Sequence, residues 1–324
     1  MIVLGVESSC DETAASVLSE EGIHSEITWS QEIHEQYGGV VPELASRAHI
    51  DKVVACVRAA LDEACIERPD AVAATAGPGL VGAVLVGFCF AKSLAAGWDV
   101  PFIGVNHLEG HLLSPLLEDN APKFPFLSLV VSGGHTTLYL ARSLGEYEVL
   151  GQTVDDAAGE AFDKVARMMG VGYPGGPVID SLAKSCADEP VVFPRPKVRT
   201  GALDMSFSGL KTAVRQYLQK TNGWEATRVA AGFQDAVVDV LMNRIQLAVE
   251  QTGIQRVAIG GGVAANGGLR TALINSPWEV FIPPRHHCTD NAAMIANAGF
   301  LHLGEGRTSS LGMTVRSQWP VEGL

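Results

Sequence analysis

The chain has 324 residues, with 23 Lys and Arg against 36 Asp and Glu, so its formal net charge is −13 at pH 7. A single hydrophobic core stops growing at about 250–300 residues, so this length predicts two domains. The composition, 47% hydrophobic and 18% charged, excludes disordered, collagen-like and coiled-coil chains.

The longest uncharged stretch covers residues 71–91, and a Gly-Pro-Gly turn at 77–79 interrupts it. The remaining apolar piece is shorter than the about 20 residues that a membrane-spanning helix needs. The first twelve residues hold three acidic side chains and no basic one, unlike a secretory signal. We therefore expect a cytoplasmic protein that does not associate with a membrane.

The charge is distributed unevenly along the chain. The first 120 residues hold 18 acidic and 5 basic side chains, and the remaining 204 hold 18 of each, so the whole excess lies in the N-terminal part. Nucleic acid binding needs Lys and Arg facing phosphates, so a nucleic acid is expected to approach the C-terminal part. The six cysteines have no CxxC spacing, which argues against a disulfide framework or a thiolate zinc site.

Hydrophobic patterning in the first part predicts three short strands, a long helix, and then alternating strands and helices. The strands are expected at 2–7, 13–18, 23–29, 71–76 and 102–105, and the helices at 42–64, 80–96 and from about residue 107.

The same opening pattern returns after residue 125. Strands are expected at 126–131, 136–141, 147–152 and 257–260, and helices near 159–169, 208–219, 224–251, 267–274 and 290–303. Two parts with the same opening meander predict a duplicated α/β fold with domains at 1–120 and 121–324, the last helix packing back on the first domain. This is the actin-like, Hsp70-like and sugar-kinase-like (ASKHA) arrangement, which clamps a nucleotide in a central cleft.

The segment HLEGH places His107 and His111 four residues apart at the start of a predicted helix. At about 100° per residue the two imidazoles lie about 40° apart and can share one metal, whereas Glu109 lies about 200° from His107. The pattern therefore differs from the HExxH of metalloproteases. The alternative is two histidines on a helix surface or with ordinary hydrogen-bond partners.

Asp290, just before the last predicted helix, is the best candidate for a third ligand. Two histidines and one carboxylate leave coordination positions open, as in Fe(II) sites and catalytic zinc sites. The alternative is that Thr289 or Asp290 caps the helix by accepting an early N–H.

Two Gly-rich turns follow predicted strands, at residues 132–135 and 260–266. Backbone N–H groups beside small residues can approach a phosphate or a nucleobase closely, although plain turns of this kind are common. The carboxylates at 155–163 stand at a predicted helix start, where the helix dipole favours them, and they could instead bind ribose hydroxyls. The segment 175–180 would supply a second wall of the same pocket.

One markedly basic stretch interrupts this acidic chain. It holds five basic residues and one acidic residue between 194 and 215, the basic ones being Arg195, Lys197, Arg199, Lys211 and Arg215. Such a run is usually a solvated face, but here it is the best candidate for phosphate contact.

Taken together, the motifs resemble one family, the tRNA threonylcarbamoyladenosine transferases, once called O-sialoglycoprotein endopeptidases. The resemblance covers nearly the whole chain. It is carried by GVESSCDET at 5–13, GGVVPELASR at 38–47, HLEGH at 107–111, VSGGHT at 131–136, DDAAGEAFDK at 155–164, YPGGP at 173–177, SFSGLK at 206–211, GGGVAAN at 260–266 and CTDNAAMIA at 288–296. Val130, where archaeal and eukaryotic members have Tyr, indicates the bacterial branch.

The resemblance implies that His107, His111 and Asp290 hold one divalent metal, Fe(II) or Zn(II). It implies an adenylate pocket formed by Val130, Val131, Ser132, Gly133, Gly134, Asp163, Gly176, Asp180 and Asn266. The implied reaction transfers threonylcarbamoyl from threonylcarbamoyl-AMP to the exocyclic amine of the adenosine immediately 3′ of the tRNA anticodon. The implied partners are tRNA, a paralogous ASKHA pseudo-subunit and a small P-loop ATPase.

Chemistry supports this hypothesis, because an adenine amine is a poor nucleophile and its acyl donor must be held and polarised. We expect Asp11 or Glu12, on the first polar turn, to accept the amine proton or position the adenine, although such carboxylates often form Asx turns. Two other classes stay open: an ASKHA ATPase or kinase that uses Mg²⁺ on phosphates, and a scaffold with a vestigial site.

Overall fold

The computed structural model describes residues 1–196, 198 and 200–322. The chain forms two compact units. Unit 1 comprises Met1–Ala121 and Asp290–Leu324, and unit 2 comprises Pro122–Thr289.

The described residues form strands that fall into two sheets. In chain order they are β1 (Val3–Glu7), β2 (Glu12–Ser19), β3 (Gly22–Ser30), β4 (Ala71–Gly77), β5 (Phe102–Asn106), β6 (Phe126–Val131), β7 (Thr136–Ser143), β8 (Glu146–Gln152), β9 (Arg256–Gly260) and β10 (Glu279–Phe281).

The helices follow the strands in both units. In chain order they are α1 (Pro42–Glu63), α2 (Val81–Trp98), α3 (His107–Leu113), α4 (Ala158–Met169), α5 (Gly175–Lys184), α6 (Ser208–Lys220), α7 (Ala226–Thr252), α8 (Gly267–Ile274), α9 (Arg285–Cys288) and α10 (Ala292–Gly304). Short 3-10 turns cover Glu32–Tyr37, Ser114–Leu117 and Gly262–Ala265.

The two sheets have the same topology. Unit 1 has the strand order β3-β2-β1-β4-β5, and unit 2 has β8-β7-β6-β9-β10. In each, an antiparallel three-stranded meander is extended by parallel strands: β4 pairs with β1, and β9 pairs with β6. The duplicated α/β fold predicted from the repeated opening pattern is therefore confirmed.

Buried strands and apolar helix faces form the core of each unit. In unit 1, Leu4 and Val6 of β1 pack with Phe88 of α2, and in unit 2 Leu127 and Leu129 of β6 pack with the helices around them. Parallel strands covered by helices are buried continuously rather than alternately, which explains the unbroken apolar runs in the sequence.

Helix α2 is long and apolar enough to cross a membrane by length and composition, a criterion that core helices of globular proteins also meet. In unit 1 this helix packs with Ala83, Phe88 and Ala91 buried, and its ring–ring contact joins Phe88 to Phe102 of β5. Its other face carries the exposed side chains Val81 and Leu85.

Most predicted strands and helices are confirmed to within two residues. The prediction omitted α5, α9, β10 and the 3-10 turns. The start of α5 is Gly-rich and contains Pro177, which favours a turn in the sequence, but a helix tolerates proline in its first turn because the early N–H groups lack intrahelical partners. Helix α10 begins at Ala292 rather than at residue 290.

Candidate functional site

Two histidines share one face of a short buried helix in unit 1. Helix α3 begins directly at the end of β5, and the Asn106 side chain caps it by accepting from the N–H groups of Leu108 at 2.9 Å and Glu109 at 3.4 Å. His107 and His111 are both buried, and their ring centroids lie 4.7 Å apart. The cap fixes the start of the helix and therefore the direction of both imidazoles.

A carboxylate from the distant end of the chain faces these histidines. Asp290 Oδ1 lies 3.0 Å from His111 Nε2 and 3.6 Å from His107 Nε2. One ligand atom from each of the three residues lies within 4.8 Å of the other two, a spacing at which they could hold a metal ion.

The N-cap of α10 is Asn291, directly after the two residues that the capping alternative named. Its side chain accepts from Met294 N–H at 2.8 Å, and Asn is among the residues preferred at this position. Asp290 lies just before this cap and faces the two histidines.

Close packing holds α10 against α3. A Cβ placed on Gly110 would come within 3.0 Å of Ile295 Cδ1 and 3.2 Å of Met294 Cγ, so only glycine fits without a shift of these side chains. Asn297 Nδ2 also donates to the Leu113 carbonyl at 3.2 Å. These contacts bring Asp290, at the start of α10, to the histidine helix.

Glu7, to which the sequence analysis assigned no role, lies directly behind His107. Its Oε2 lies 3.1 Å from His107 Nδ1 and accepts from Thr75 Oγ1 at 2.5 Å, and its Oε1 accepts from Ser9 N–H. A carboxylate behind the second nitrogen of a ligating histidine fixes its tautomer and orientation, so that Nε2 is left to bind a metal. The available signal was one acidic residue in an otherwise apolar strand.

The electrostatics of this cluster favour a positive charge. Burial alone raises the pKa of Glu7, but the attraction of His107 outweighs it and the pKa is lowered overall. Burial lowers the pKa of His107, but the carboxylates of Asp290 and then Glu7 outweigh it and raise the pKa to about 9. A buried group flanked by two carboxylates thus stabilises a cation, and a bound metal would satisfy the same requirement. The Nδ1 atom of His111 is also buried, but among the described residues it has no hydrogen-bond partner that corresponds to Glu7.

Asp11 ends the turn between β1 and β2 in the same unit, and Glu12 is the first residue of β2. We call residues 10–12 the acidic turn. The Asp11 carbonyl accepts from Gln31 N–H at 3.1 Å, and Glu12 pairs with Ser30 at the start of β2. Burial, followed by the charges of Asp290 and Asp11, raises the pKa of Glu12 well above its usual range. A carboxylate with a raised pKa is a stronger base once it has lost its proton.

The Gly-rich turn after β6 in unit 2 has open space beside its glycines. Val130 and Val131 are buried in the strand, and the turn is closed by Ser132 N–H donating to the His135 carbonyl at 2.8 Å. A Cβ on Gly133 or Gly134 would meet nothing within 4 Å. The backbone beside these two glycines is therefore open, and ligand binding by this turn stays a prediction.

The polar residues assigned to the same pocket are tied to the starts of helices in unit 2. Asp163 accepts from Gly175 N–H at 2.7 Å, and Asp180 accepts from Gly267 N–H at 2.9 Å. Asn266 caps α8 by accepting from Leu269 N–H at 3.0 Å. These side chains therefore position α5 and α8.

One open position and one close backbone contact complete this part of unit 2. A Cβ on Gly176 would meet nothing within 4 Å, whereas Gly159 of α4 packs against Ser132 and Gly133 so closely that a Cβ there would lie 2.6 Å from the Ser132 carbonyl oxygen. The start of α4 thus lies directly on the Gly-rich turn, and N–H groups at helix starts favour anions.

Two of the three described members of the basic stretch contact carboxylates. Arg195 Nε and Nη2 donate to Asp239 Oδ2 at 2.9 and 2.5 Å, and Lys211 forms an ion pair with Asp156. Lys197 and Arg199 lie outside the described residues. Phosphate contact by Arg195 or Lys211 would therefore compete with an existing partner.

Solved structures similar to this chain share its fold. HypF in its phosphate- and nucleotide-bound form aligns with a TM-score of 0.63 and 17% identity over 93% of this chain and 55% of HypF, so the chain spans about half the length of that protein. The activator of 2-hydroxyisocaproyl-CoA dehydratase from Clostridium difficile, with bound ADPNP, aligns with a TM-score of 0.54 and 17% identity over 94% of this chain and 97% of its own. Component A of (R)-2-hydroxyglutaryl-CoA dehydratase from Acidaminococcus fermentans aligns with a TM-score of 0.56 and 16% identity over 92% of this chain and 99% of its own.

The two sheets of identical topology and these structural neighbours define the chain as an ASKHA-fold protein. The histidine–carboxylate cluster in unit 1 adds a candidate metal site to that fold. The model of one family, TsaD: tRNA N6-adenosine threonylcarbamoyltransferase, matches residues 22–297. The chain belongs to this family.

Proposed function

We propose that this protein transfers the threonylcarbamoyl group from threonylcarbamoyl-AMP to N6 of the adenosine immediately 3′ of the anticodon, in tRNAs that read codons starting with A. The observation that carries the proposal is the convergence of His107, His111 and Asp290, backed by Glu7, in a member of this family.

The donor set fits a divalent metal. His107, His111 and Asp290 offer two imidazole nitrogens and one carboxylate, which suits Fe(II) first and Zn(II) second and leaves positions open. When bound, such a metal supplies a Lewis acid that polarises an acyl carbonyl. Glu7 holds His107 in the ligating orientation, and buried surroundings exclude water from this face of α3.

The other site residues bind and orient the two substrates. In unit 2, Val130, Val131, Ser132, Gly133 and Gly134 present a strand end and an open turn to the adenylate. Asp163, Gly176, Asp180 and Asn266 shape the helix starts of the same pocket. In unit 1, Asp11 or Glu12 accepts the proton that the amine loses. The target base is unpaired in a loop, so splaying it out costs little.

The charge distribution and the exposed apolar side chains indicate where the partners bind. The N-terminal part carries the whole negative excess, and α1 and α2 expose Ile50, Val54, Val81 and Leu85. We assign this face of unit 1 to the paralogous ASKHA subunit, with a small P-loop ATPase as a further partner. The tRNA contacts unit 2 through Arg195, Lys197, Arg199 and Lys211, and the reaction takes place in the cytoplasm.

The decisive experiment reconstitutes the reaction. The protein and its partners are incubated with threonine, bicarbonate, ATP, the synthase that makes the adenylate, and tRNA, and the nucleosides are then analysed. We expect threonylcarbamoyladenosine with the wild type and none with His111→Ala, which should also lose the metal. The exposed His24 offers a matched control, since His24→Ala should retain both.

Two results would contradict the proposal. Full metal occupancy in His111→Ala would remove His111 from the ligand set. Hydrolysis of ATP by the wild type with no modified nucleoside would favour the alternative, an ASKHA-type ATPase or kinase without acyl transfer.

A further inference from the structure

A chain of buried polar side chains runs behind the acidic turn of unit 1 and belongs to none of the sites above. It consists of Thr13, Gln31, His34 and His49, all of them buried. It ends at residues 32–41, which follow β3 and which we call the 32–41 segment. The last four residues of this segment are the first four of the GGVVPELASR motif.

The Cys10 carbonyl fixes one proton of His49. His49 Nε2 lies 3.0 Å from this carbonyl, which only accepts, so Nε2 carries a proton and donates. His49 Nδ1 lies 2.8 Å from Thr13 Oγ1, and in the neutral imidazole it accepts from that hydroxyl. In this neutral form His49 bonds both ends of the acidic turn. Burial also lowers the pKa of His49, which favours the same neutral form.

The hydrogen bonds at His34 are fixed in the same way. Val41 N–H only donates, so His34 Nδ1 accepts from it at 3.3 Å. The proton of His34 is then on Nε2, which donates to Gln31 Oε1 at 2.8 Å. His34 thus closes the 32–41 segment on itself and fixes the orientation of the Gln31 amide.

Gln31 joins His34 to the acidic turn. Its side-chain Nε2 donates to the Ala45 carbonyl at 3.3 Å, and its backbone N–H donates to the Asp11 carbonyl at 3.1 Å. Its Nε2 also lies 3.3 Å from His49 Nε2, which is a packing contact between two donors rather than a hydrogen bond. A residue that bonds His34 through its side chain and Asp11 through its backbone transmits the position of one to the other.

We propose that His49, Gln31 and His34 position the acidic turn, and that Gln31 and His34 couple it to the 32–41 segment. This inference rests on the proposed function, because Asp11 and Glu12 on that turn are the proposed proton acceptors. None of the three residues contacts substrate. Each acts by holding the backbone that carries a reacting carboxylate, and a ligand that orders the 32–41 segment would order the turn as well.

Coupling is tested first without any transfer assay, by hydrogen exchange of the metal-loaded full chain. His34→Leu should raise hydrogen exchange at the backbone amide of Gln31 about tenfold, although the His34 side chain does not bond that N–H. His34→Gln places a donor near the position of Nε2 and should keep the Gln31 amide protected. The matched control is Val53→Ala in α1, which truncates a buried apolar side chain. The backbone amide of Val84 in α2 serves as the reference, and the ratio of the Gln31 exchange rate to the Val84 exchange rate should stay unchanged in this control. An unchanged Gln31 amide in His34→Leu would overturn the proposal.

The consequence for catalysis is tested in single turnover with preformed threonylcarbamoyl-AMP. His49→Leu should lower the rate constant at saturating tRNA about tenfold and leave the KM for tRNA and the metal content unchanged, and His49→Gln should recover part of the loss. Normal transfer by His49→Leu would overturn the positioning role. If the wild type transfers nothing, the proposed function fails, and the exchange measurements still decide whether the chain couples turn and segment. If His49→Leu does not fold, the two His34 variants decide.

Discussion

His302 Nε2 lies 2.8 Å from Glu109 Oε1, and both side chains are buried. Glu109 stands between the two histidines of α3, and His302 lies in the last turn of α10, whose other end follows Asp290. At about 1.5 Å per residue His302 lies about 15 Å along α10 from Ala292, the first residue of the helix. Together with the packing at Gly110, this contact fixes α10 along its length and so sets where Asp290 meets His107 and His111.

Replacing His302 by Ala should weaken metal binding although no ligand is changed. The variant also removes one hydrogen-bond partner of the buried Glu109 carboxyl group, so the free energy of unfolding should fall by about 1–3 kcal/mol. Chelator competition gives the metal affinity, and denaturant unfolding gives the stability. The exposed pair of Arg142 and Glu148 supplies the control, because Glu148→Gln should change stability by only about 0–1 kcal/mol. Equal metal affinity in His302→Ala and wild type would show that α10 needs no such anchor.

Glu7→Gln tests whether the carboxylate behind His107 orients it. The substitution keeps the size of the side chain but removes the negative charge that faces Nδ1, so metal affinity should fall about 10–100-fold with all three ligands present. Glu43→Gln, at an exposed position of α1, should have no effect. Should Glu7→Gln bind metal as tightly as the wild type, the orientation of His107 would have to come from Ser9 alone, whose Oγ lies 3.1 Å from the same nitrogen.

The sequence predicted the elements better than it predicted the contacts among them. The repeated meander was sufficient for the fold class, because strand periodicity and turn residues are local signals. The pairing of His107 and His111 also follows from helix geometry alone. Asp290 lies close to these histidines because α10 packs against α3 at Gly110 and because Asn291 is the N-cap of α10. Local sequence patterns show neither of these contacts.

Glu7 shows a different limit of sequence analysis. An acidic residue at the end of an apolar strand could equally face solvent, since strand ends are often exposed. Its burial results from three separate partners, Thr75, Ser9 and His107, which come from different elements. The Pro177 region was missed for the opposite reason, because its turn-like composition hides a helix start.

Asp155 should make the docking of α6 sensitive to acid. Its carboxylate accepts from the hydroxyls of Ser206 and Ser208 at 2.5 and 2.6 Å and from Phe207 N–H at 2.8 Å. Partial burial alone raises the pKa of Asp155, but these hydrogen bonds outweigh it and the pKa is lowered overall. A carboxylate with a lowered folded-state pKa stabilises the fold above its unfolded pKa of about 3.9 and loses that contribution as the pH falls through the folded value.

The variant that tests this contribution is Asp155→Asn. We expect its stability to be lower than that of the wild type at neutral pH, and the difference to shrink below about pH 4. Unfolding curves of both proteins between pH 3 and pH 7 measure the difference. A gap that stays constant over this range would mean that the charge of Asp155 contributes nothing and that shape alone holds the segment.

The acidic turn should contribute to the rate rather than to binding. In the double variant Asp11→Asn with Glu12→Gln, the single-turnover rate constant with preformed threonylcarbamoyl-AMP should fall about 100-fold, the lower end of what a positioned proton acceptor contributes. The substitutions preserve size, and metal content should stay at the wild-type level. A normal rate in this variant would assign the proton to water or to the leaving phosphate.

Binding of tRNA should depend on the basic stretch of unit 2 and on the carboxylates that already form ion pairs with its members. Neutralising Arg195, Lys197 and Arg199 together by Gln should weaken tRNA binding by the assembled complex. It should also make the plot of log affinity against log salt shallower by about one for each phosphate that the variant no longer neutralises. The chain alone is acidic, so its own affinity should be weak, with partners supplying further positive surface.

The ion pair between Arg195 and Asp239 gives this prediction a second, opposite arm. Because Arg195 now bonds Asp239, Asp239→Asn should release the Arg195 guanidinium and remove a repulsive charge, so tRNA affinity should rise and the salt dependence should steepen. A solvated cluster that never meets tRNA would show no change in either variant, and an unchanged affinity and slope in both would place the tRNA on another surface. If the triple variant weakens binding and Asp239→Asn strengthens it, with adenylate binding intact in each, Arg195 contacts the phosphate backbone.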